Sequence, residues 1–192
     1  MDFRNFRRRF FMKLSDILSA DRIKLNLSSK HKTEVIEELI DIVMSANSIT
    51  NRDAFRDKVF ERESLKSTGL SDGIAIPNAQ AASVKGICAC LGISRTGINF
   101  DSLDGKPAHI IFLVAAQKHL DAPYLSLLSR IVRLFSKAHI RRKVIAANSS
   151  HDLIHIIKDA ENMLTAGSKQ CSTTKVRGFP ARFQVDTAMN LK

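Results

Sequence analysis

The sequence predicts an α/β fold: a central mixed β-sheet with helices on both faces. Helical apolar periodicity occupies both ends of the region 31–164, whereas the middle, from Gly69 to Ala115, indicates a run of strands. One of these strands, AHIIFLVA at 108–115, is almost continuously apolar. That pattern is typical of a central strand that is covered on both faces.

The first predicted elements are a strand and a helix. Residues 23–27 alternate between apolar and polar side chains, the period of a short strand. A helix is predicted over 31–46, with Ser28 or Ser29 as its N-cap. The apolar residues of this helix lie on one face and predict burial. They are Val35, Ile36, Leu39, Ile40 and Val43.

A second helix is predicted over 52–66, opened by Asn51 or Asp53. Its inward residues are Phe55, Val59 and Phe60, and many charged residues lie outward. We expect this helix to cover the same sheet as the first.

Glycine and proline interrupt the pattern after this helix, and three short strands are predicted before 108–115. They span Ile74 to Ile76, Val84 to Ile93 and Ile98 to Phe100. The remaining predicted elements are helical. Asp121 opens a helix that ends near 136, a short helix follows near 139–147, and Ser149 or Ser150 caps a last helix that ends near Leu164.

The formal charge of +11 is concentrated at the two ends of the chain. Segments 1–13 and 165–192 carry +4 each, which leaves +3 for 14–164. Basic ends of this kind either bind nucleic acid or an anionic membrane, or are simply solvated. Apolar periodicity stops after Leu164, so the tail 165–192 is predicted to be disordered or loosely docked.

Three predicted regions make up the chain: a basic and aromatic arm over 1–11, one domain over 12–164, and the tail. The arm lacks the apolar core of a secretory signal. Three interpretations of it stay open. Either Met12 is the true start of the protein, or the arm is a solvated extension, or the arm contacts a membrane or nucleic acid.

Several function classes are disfavoured. The longest apolar stretch, Ile110 to Ala116, is too short to cross a bilayer. Three cysteines cannot form a disulfide framework, which predicts a reducing, cytoplasmic location. The chain has no glycine-rich phosphate loop and no G-x-S-x-G motif.

Two pairs of potential metal ligands are better explained without a metal. His151 and His155 are four residues apart on a helix, but no third ligand is identifiable. Cys88 and Cys90 lie on one face of a strand, and we expect both thiols to be buried. No metal site is predicted.

The most informative stretch is ERESLKSTGLSDGIAIPNAQ, at 61–80. It resembles the mannitol/fructose-class (type 2) enzyme IIA domain of the bacterial phosphoenolpyruvate-dependent sugar phosphotransferase system. The nitrogen-regulatory branch of that system uses the same domain. The resemblance covers about 12–160, because further landmarks follow in the family's order. They are Met12 to Leu18, Gly97 to Phe100, Asp104 to Pro107, the 108–115 strand, and Tyr124 to Phe135.

The resemblance implies a phosphoryl transfer from a histidine phosphocarrier protein to a histidine that follows the proline of I-A-I-P. Here that residue is Asn78, whose amide nitrogen has its lone pair delocalised and is not a useful acceptor. A second family histidine corresponds to Tyr124, and an arginine two residues after the first corresponds to Gln80.

The phosphoryl-binding residues that the resemblance implies are Arg62, Ser67, Thr68 and Gly69. Alternatives stay open for each: Arg62 pairs with a neighbouring glutamate, or Ser67 and Thr68 cap a turn. His119 is the one histidine that we consider as a substitute acceptor.

We therefore expect a degenerate, cytoplasmic enzyme IIA-like regulator that acts by binding a protein. Its partner is expected to be a histidine phosphocarrier protein or a regulated target, and no cofactor is implied. One alternative is an active phosphoryl carrier that uses a non-standard residue. A second alternative is a regulator that binds nucleic acid or a membrane through its basic arms, although no recognition motif supports it.

Overall fold

A computed structural model describes residues 12–170 of the chain, with side chains as far as Thr165. The predicted arm 1–11 and residues 171–192 of the predicted tail lie outside the described residues. The six α-helices of the described part are α1 Leu14–Ile17, α2 Lys32–Met44, α3 Arg52–Leu65, α4 Asp121–Phe135, α5 Ala138–Ile145 and α6 Ser150–Gln170. A 3-10 turn spans Ala20–Arg22.

Five strands form one mixed sheet, as predicted. They are β1 Ile23–Lys24, β2 Ile74–Ala75, β3 Asn78–Ala81, β4 Ile87–Ile98 and β5 Ala108–Gln117. The strand order is β1-β4-β5-β2, and β3 follows β2 along the same side of β5. Only the β4–β5 pair is antiparallel, and the other pairs are parallel.

Helices cover both faces of this sheet, which confirms the predicted fold class. On one face, α1, α4, α5 and α6 pack over alternate residues of β4 and β5, including Leu91 and Phe112. On the other face, α2 and α3 pack over the intervening residues, including Cys90 and Leu113. The alternation of side chains along a strand therefore divides the core into two clusters.

The strand predictions were wrong in two places. The chain from 87 to 98 is one long strand rather than two, with a register shift between Ile93 and Ile98 where it pairs with β5. Gly97, at φ 82°, donates its amide hydrogen to Ser94 Oγ over 3.1 Å. This local irregularity places the polar residues between the two predicted strands inside one continuous strand. The strand β3 was not predicted.

The predicted N-cap of α2 was also wrong. His31 occupies that position, without a side-chain cap. The amides of Ser28 and Ser29 instead donate to the Glu38 carboxylate, each over 3.1 Å. The cap of α3 is confirmed, because Asn51 Oδ1 accepts a hydrogen bond from the Ala54 amide over 3.0 Å.

Glu38 therefore holds the segment before α2 against the helix, and Lys24 also pairs with it over 2.5 Å. Burial alone would raise the pKa of Glu38. The hydrogen bonds from Lys24, Ser28 and Ser29 outweigh burial and lower it to about 2.

The last helix ties the two ends of the described chain together. The buried Glu161 of α6 accepts hydrogen bonds from the amide of Leu14 over 2.7 Å and from the amide and hydroxyl of Ser15. Arg130 lies 3.6 Å from the same carboxylate. The helix continues to Gln170, past the predicted end near Leu164. No helix within 12–170 is long and apolar enough to cross a membrane.

We predict that Glu38→Gln makes the fold less sensitive to acid. The native pKa is depressed, so the carboxylate stabilises the fold fully above its unfolded pKa, and this contribution is lost as the pH falls toward 2. The difference in free energy of unfolding between the wild type and the variant should decrease by about 2 kcal/mol from about pH 7 to about pH 3. Denaturant unfolding at both pH values measures the gap. The exposed Glu34→Gln on the same helix is the control, and a constant gap for Glu38→Gln contradicts the prediction.

We further predict that Glu161→Ala lowers the free energy of unfolding by about 3 kcal/mol. The substitution leaves the first amides of α1 without their acceptor and removes the buried carboxylate that lies beside Arg130. Urea denaturation measures the loss. Asp159→Ala, at an exposed position of the same helix, should change stability by less than about 0.5 kcal/mol. Equal effects of the two substitutions would refute the anchoring role of Glu161.

Candidate functional site

Three segments that are distant in the sequence meet around one cleft of about 430 Å³. One side is the C-terminal half of α3, the floor is the start of β3, and the other side is the first two turns of α4. The lining residues are Lys58, Glu61, Arg62, Leu65, Asn78, Ala79, Gln80, Tyr124, Leu125 and Leu128.

The α3 side of the cleft comes from helical spacing. Lys58, Glu61, Arg62 and Leu65 lie three or four residues apart and so share one face of the helix. The residues at Phe55 and Val59 are fully buried against the sheet. Because the apolar face of α3 is fixed on the sheet, its polar face is turned toward the cleft.

The floor of the cleft is set by the break between β2 and β3. Pro77 has no amide hydrogen, and its carbonyl accepts a hydrogen bond from the Val114 amide of β5 over 3.0 Å. Asn78 then starts β3 opposite Val114 in parallel register. Its side-chain Nδ2 donates back to the Ile76 carbonyl over 2.5 Å.

Tyr124 closes the floor from the first turn of α4. Its hydroxyl donates a hydrogen bond to Asn78 Oδ1. Both side chains are buried, at 7% exposure for Asn78 and 8% for Tyr124. Burial raises the pKa of Tyr124 to about 12, and the positive charge of Arg62 opposes that shift. The phenol is therefore a neutral hydrogen-bond donor over the physiological pH range.

Arg62 and Gln80, two other predicted site residues, also reach the cleft. Arg62 Nη1 donates to the Lys66 carbonyl over 2.9 Å. Among the described residues, no carboxylate forms an ion pair with Arg62, so the alternative pairing with a neighbouring glutamate is not observed. Gln80 Nε2 donates to Asp121 Oδ1 over 3.0 Å, which links β3 to the start of α4.

Ser67, Thr68 and Gly69 were also expected at the site, but the structure turns them away from it. The Ser67 hydroxyl donates to the Phe100 carbonyl over 2.6 Å. The amide and hydroxyl of Thr68 both donate to the buried Glu63 carboxylate, over 2.9 and 2.6 Å. A Cβ at Gly69 would lie 2.7 Å from the Phe100 carbonyl oxygen, so the turn packs directly on the loop after β4.

A second charge holds this turn in place. Lys32 Nζ lies 2.8 Å from the Glu63 carboxylate and 3.0 Å from that of Asp101. Burial alone would lower the pKa of Lys32, but these two carboxylates outweigh burial and raise it. The polar groups of Ser67 and Thr68 thus form hydrogen bonds within this network. That is why their hydroxyls do not face the cleft.

The remaining candidates lie elsewhere. His119 is in the loop before α4, at φ 71°, and does not line the cleft. His151 and His155 lie exposed on α6. Within the described part of the chain, no group of three potential metal ligands was found. Cys88 and Cys90 are both buried, and burial raises the pKa of the Cys88 thiol to about 11.

Sequence reasoning missed six of the ten residues that line the cleft. Lys58, Glu61 and Leu65 share the helical face of Arg62, so their spacing alone would have indicated them. Leu125 and Leu128 were assigned no role at the site. The Glu63 network has no signal in the sequence, because a glutamate at the end of a charged helix normally indicates solvent exposure.

The comparison with known proteins identifies the family. Residues 16–160 match the model of the phosphoenolpyruvate-dependent sugar phosphotransferase system, EIIA 2. The chain belongs to this family. It is 38% identical over 146 residues to the fructose-specific EIIABC component of Bacillus subtilis, which covers 76% of this chain and 23% of that protein. It thus spans about a quarter of the length of that relative.

Two further relatives match along nearly their whole length. The fructose-specific EIIA component of Haloferax volcanii is 30% identical over 76% of this chain and 95% of its own. The nitrogen regulatory protein of Pseudomonas aeruginosa is 25% identical over 79% and 98%. EIIA-type proteins of both the sugar and the nitrogen-regulatory branch therefore resemble this chain.

Solved structures agree with the fold. The nitrogen regulatory protein IIA-Ntr from Neisseria meningitidis superposes with a TM-score of 0.70 at 28% identity, over 75% of this chain and 98% of that one. IIA mannitol from Escherichia coli superposes at 0.64 with 15% identity, over 73% and 98%. The latter likeness concerns the fold alone.

The cleft of this EIIA-family chain has the chemistry of a binding site. Its floor is a pair of neutral hydrogen-bonding groups, Asn78 and Tyr124. Two cations also line it: Arg62, and Lys58, which pairs with Glu61. No cysteine, histidine or aspartate is among the residues that line it. The lining offers hydrogen bonds, charge and apolar contact, but no imidazole to accept a phosphoryl group.

We predict that Tyr124 titrates well above a free tyrosine. It is the only tyrosine, and the chain has no tryptophan, so tyrosinate absorbance reports this one side chain. At about pH 11, about a tenth of Tyr124 should be ionised in the folded chain, against about nine-tenths in denaturant. The contribution to stability is complete below the unfolded pKa of about 10 and is lost as the pH rises toward 12. Identical titrations in both states would contradict the burial of the Tyr124 hydroxyl.

Proposed function

We propose that this chain is a cytoplasmic regulatory member of the EIIA family that does not carry a phosphoryl group. It acts by binding a protein partner through the face around Asn78. The resemblance of 61–80 to the family motif assigns Asn78 to the place of the phosphoacceptor histidine. The resemblance of the helix from Tyr124 to Phe135 assigns Tyr124 to the place of the second histidine.

The observation that carries this proposal is the state of the Asn78 amide. Its oxygen accepts from Tyr124, and its nitrogen donates to the Ile76 carbonyl. A phosphoryl acceptor needs a free lone pair directed at the donor, whereas the amide nitrogen has a delocalised lone pair and a hydrogen bond to satisfy. Replacing two imidazoles by this bonded pair removes the nucleophile and keeps the floor of the cleft closed.

The rim of the cleft supports binding of a protein. Leu65 is 79% exposed and Leu125 is 57% exposed, on opposite sides of the polar floor. Exposed apolar side chains that frame a cation and buried polar groups are typical of a protein interface. A solved complex of IIA mannitol with phosphorylated IIB mannitol from Escherichia coli shows that another protein of this fold binds a protein partner. For this chain, the partner is a histidine phosphocarrier protein or a regulated target.

A phosphotransfer assay tests the proposal. We expect no label on the wild type in a reaction with radioactive phosphoenolpyruvate, enzyme I and the histidine phosphocarrier protein. Restoring both imidazoles with Asn78→His and Tyr124→His should give acid-labile label, because Arg62 and the cleft are already in place. Asn78→His alone should label less, since Tyr124 cannot provide a second imidazole.

A histidine-bearing EIIA protein in the same reaction is the positive control. Acid-labile label on the wild type would overturn the proposal. If that label disappears in His119→Ala, the chain is instead an active carrier that uses His119.

A further inference from the structure

Positive charge within the domain is strongly segregated along the chain. Between Ala122 and His151 there are six basic residues and no acidic residue. The rest of 14–164 therefore carries a net charge of −3, although the whole segment carries +3. The basic stretch comprises most of α4, all of α5 and the start of α6.

Two of the six basic residues have partners inside the fold. Arg130 lies 3.6 Å from the buried carboxylate of Glu161. Arg141 lies 3.3 Å from the Asp72 carboxylate and donates to the carbonyls at the end of α4, those of Phe135 and Ser136. These two arginines anchor α4 and α5 and are not available to a partner.

The other four, Arg133, Lys137, Arg142 and Lys143, are exposed. Within the described part of the chain, no carboxylate lies within ion-pair distance of any of them. Lys137 is the N-cap of α5, and Arg133 lies in the last turn of α4, four residues before it. We call these four residues the α4–α5 surface.

The rotation of α5 keeps its two cations in solvent. Ile140 and Val144 are buried in the core, which fixes the orientation of the helix. The exposed residues of α5 are Ala138, His139, Arg142 and Lys143. Both unpaired cations of the helix are therefore on its solvent side.

We infer that the α4–α5 surface binds duplex nucleic acid through its phosphates, without reading its sequence. The unpaired cations of these two adjoining helices supply the favourable free energy of such binding, because each phosphate contact releases condensed counterions. Base-reading groups are not needed for this kind of contact.

The composition of the surface favours nucleic acid over two other anionic partners. Insertion into a membrane surface requires an exposed apolar face, whereas the apolar face of α5 is buried in the core. Protein interfaces are enriched in aromatic residues at their centre, and no phenylalanine, tyrosine or tryptophan is exposed between Arg130 and Asn148.

The proposed surface is separate from the cleft. Tyr124 and Arg133 are nine residues apart on α4, which corresponds to about 14 Å along the helix axis. Binding at one end of α4 leaves the other end free. The inference therefore goes beyond the proposed function, and its test is independent of phosphotransfer.

The basic arm is the main competing explanation for any binding of nucleic acid. Residues 1–11 contain four arginines and one aspartate. The first described residues adjoin α6, since Lys13 Nζ donates to Asn162 Oδ1 over 3.0 Å. A test must therefore separate the arm from the α4–α5 surface.

Three full-length variants, each lacking four positive charges, make this separation. The first replaces Arg133, Lys137, Arg142 and Lys143 by Gln. The second replaces the exposed Lys30, Lys66, Lys85 and Lys118 by Gln, all outside the basic stretch. The third replaces Arg4, Arg7, Arg8 and Arg9 by Gln. Thermal unfolding checks that each variant is folded.

Fluorescence anisotropy with a labelled DNA duplex of arbitrary sequence measures binding between about 50 and about 200 mM salt. Four phosphate contacts predict that the wild-type affinity falls by roughly a hundredfold over this range. The first variant should bind at least about tenfold more weakly than the wild type and show a shallower salt dependence. The second should lose much less affinity.

Several results would overturn the inference. They are no wild-type binding at about 50 mM salt, equal losses in the first two variants, or a loss confined to the arm variant. The same anisotropy series with vesicles that contain anionic lipid tests the membrane. Binding to those vesicles without binding to DNA would also overturn the inference.

Discussion

The burial of β5 organises the rest of the structure. This strand pairs with β4 on one side and with β2 and β3 on the other, and eight of its ten residues are buried. A strand without a solvent-facing side must be covered by helices on both faces. That requirement divides the helices into two layers. It also sets the register that puts Asn78 beside Val114, at the edge where α3 and α4 approach each other.

The proposed function combines the family match with the chemistry observed at the floor of the cleft. The match over 16–160 and the superposition on IIA-Ntr show an intact EIIA-type frame. Within that frame, the floor of the cleft is an amide bonded to a phenol, and both groups are neutral. A frame that stays intact around such a floor is compatible with selection for binding. The buried Glu63 network supports this view, because it positions the end of α3 without offering any group to a phosphate.

The two helical layers also differ in charge. Four of the five cations of α2 and α3 form ion pairs, as in the contacts of Arg52 with Glu37 and Asp41, and Arg62 is the exception. The other layer contains the stretch without acidic residues, and four of its cations have no such pairing among the described residues. Paired charges stabilise local structure and contribute little to long-range attraction, whereas unpaired charges set the electrostatic field of a surface. The net charge of 14–164 is therefore small, although positive charge is concentrated in one of its two helical layers.

The sequence by itself determined the fold class, the order of the elements and the membership in a family. These follow from local periodicity and from a motif that is contiguous in the chain, such as the apolar run at 108–115 and the stretch at 61–80. The burial of Cys88 and Cys90 followed in the same way. Arg62, Gln80 and Tyr124 were identified at the cleft only through the resemblance, since they are far apart in the sequence.

Only the tertiary structure decided which side-chain groups of the site are available to a ligand. The sequence offered the hydroxyls of Ser67 and Thr68 as phosphate ligands. In the structure, Ser67 instead bonds to Phe100, 33 residues away, and Thr68 bonds to the buried Glu63. The partner of Tyr124 is 46 residues away in the chain, and that of Leu14 is 147 residues away. Such hydrogen bonds depend on packing between layers and leave no local pattern, which is why the sequence indicated where the site lies but not which of its atoms are available.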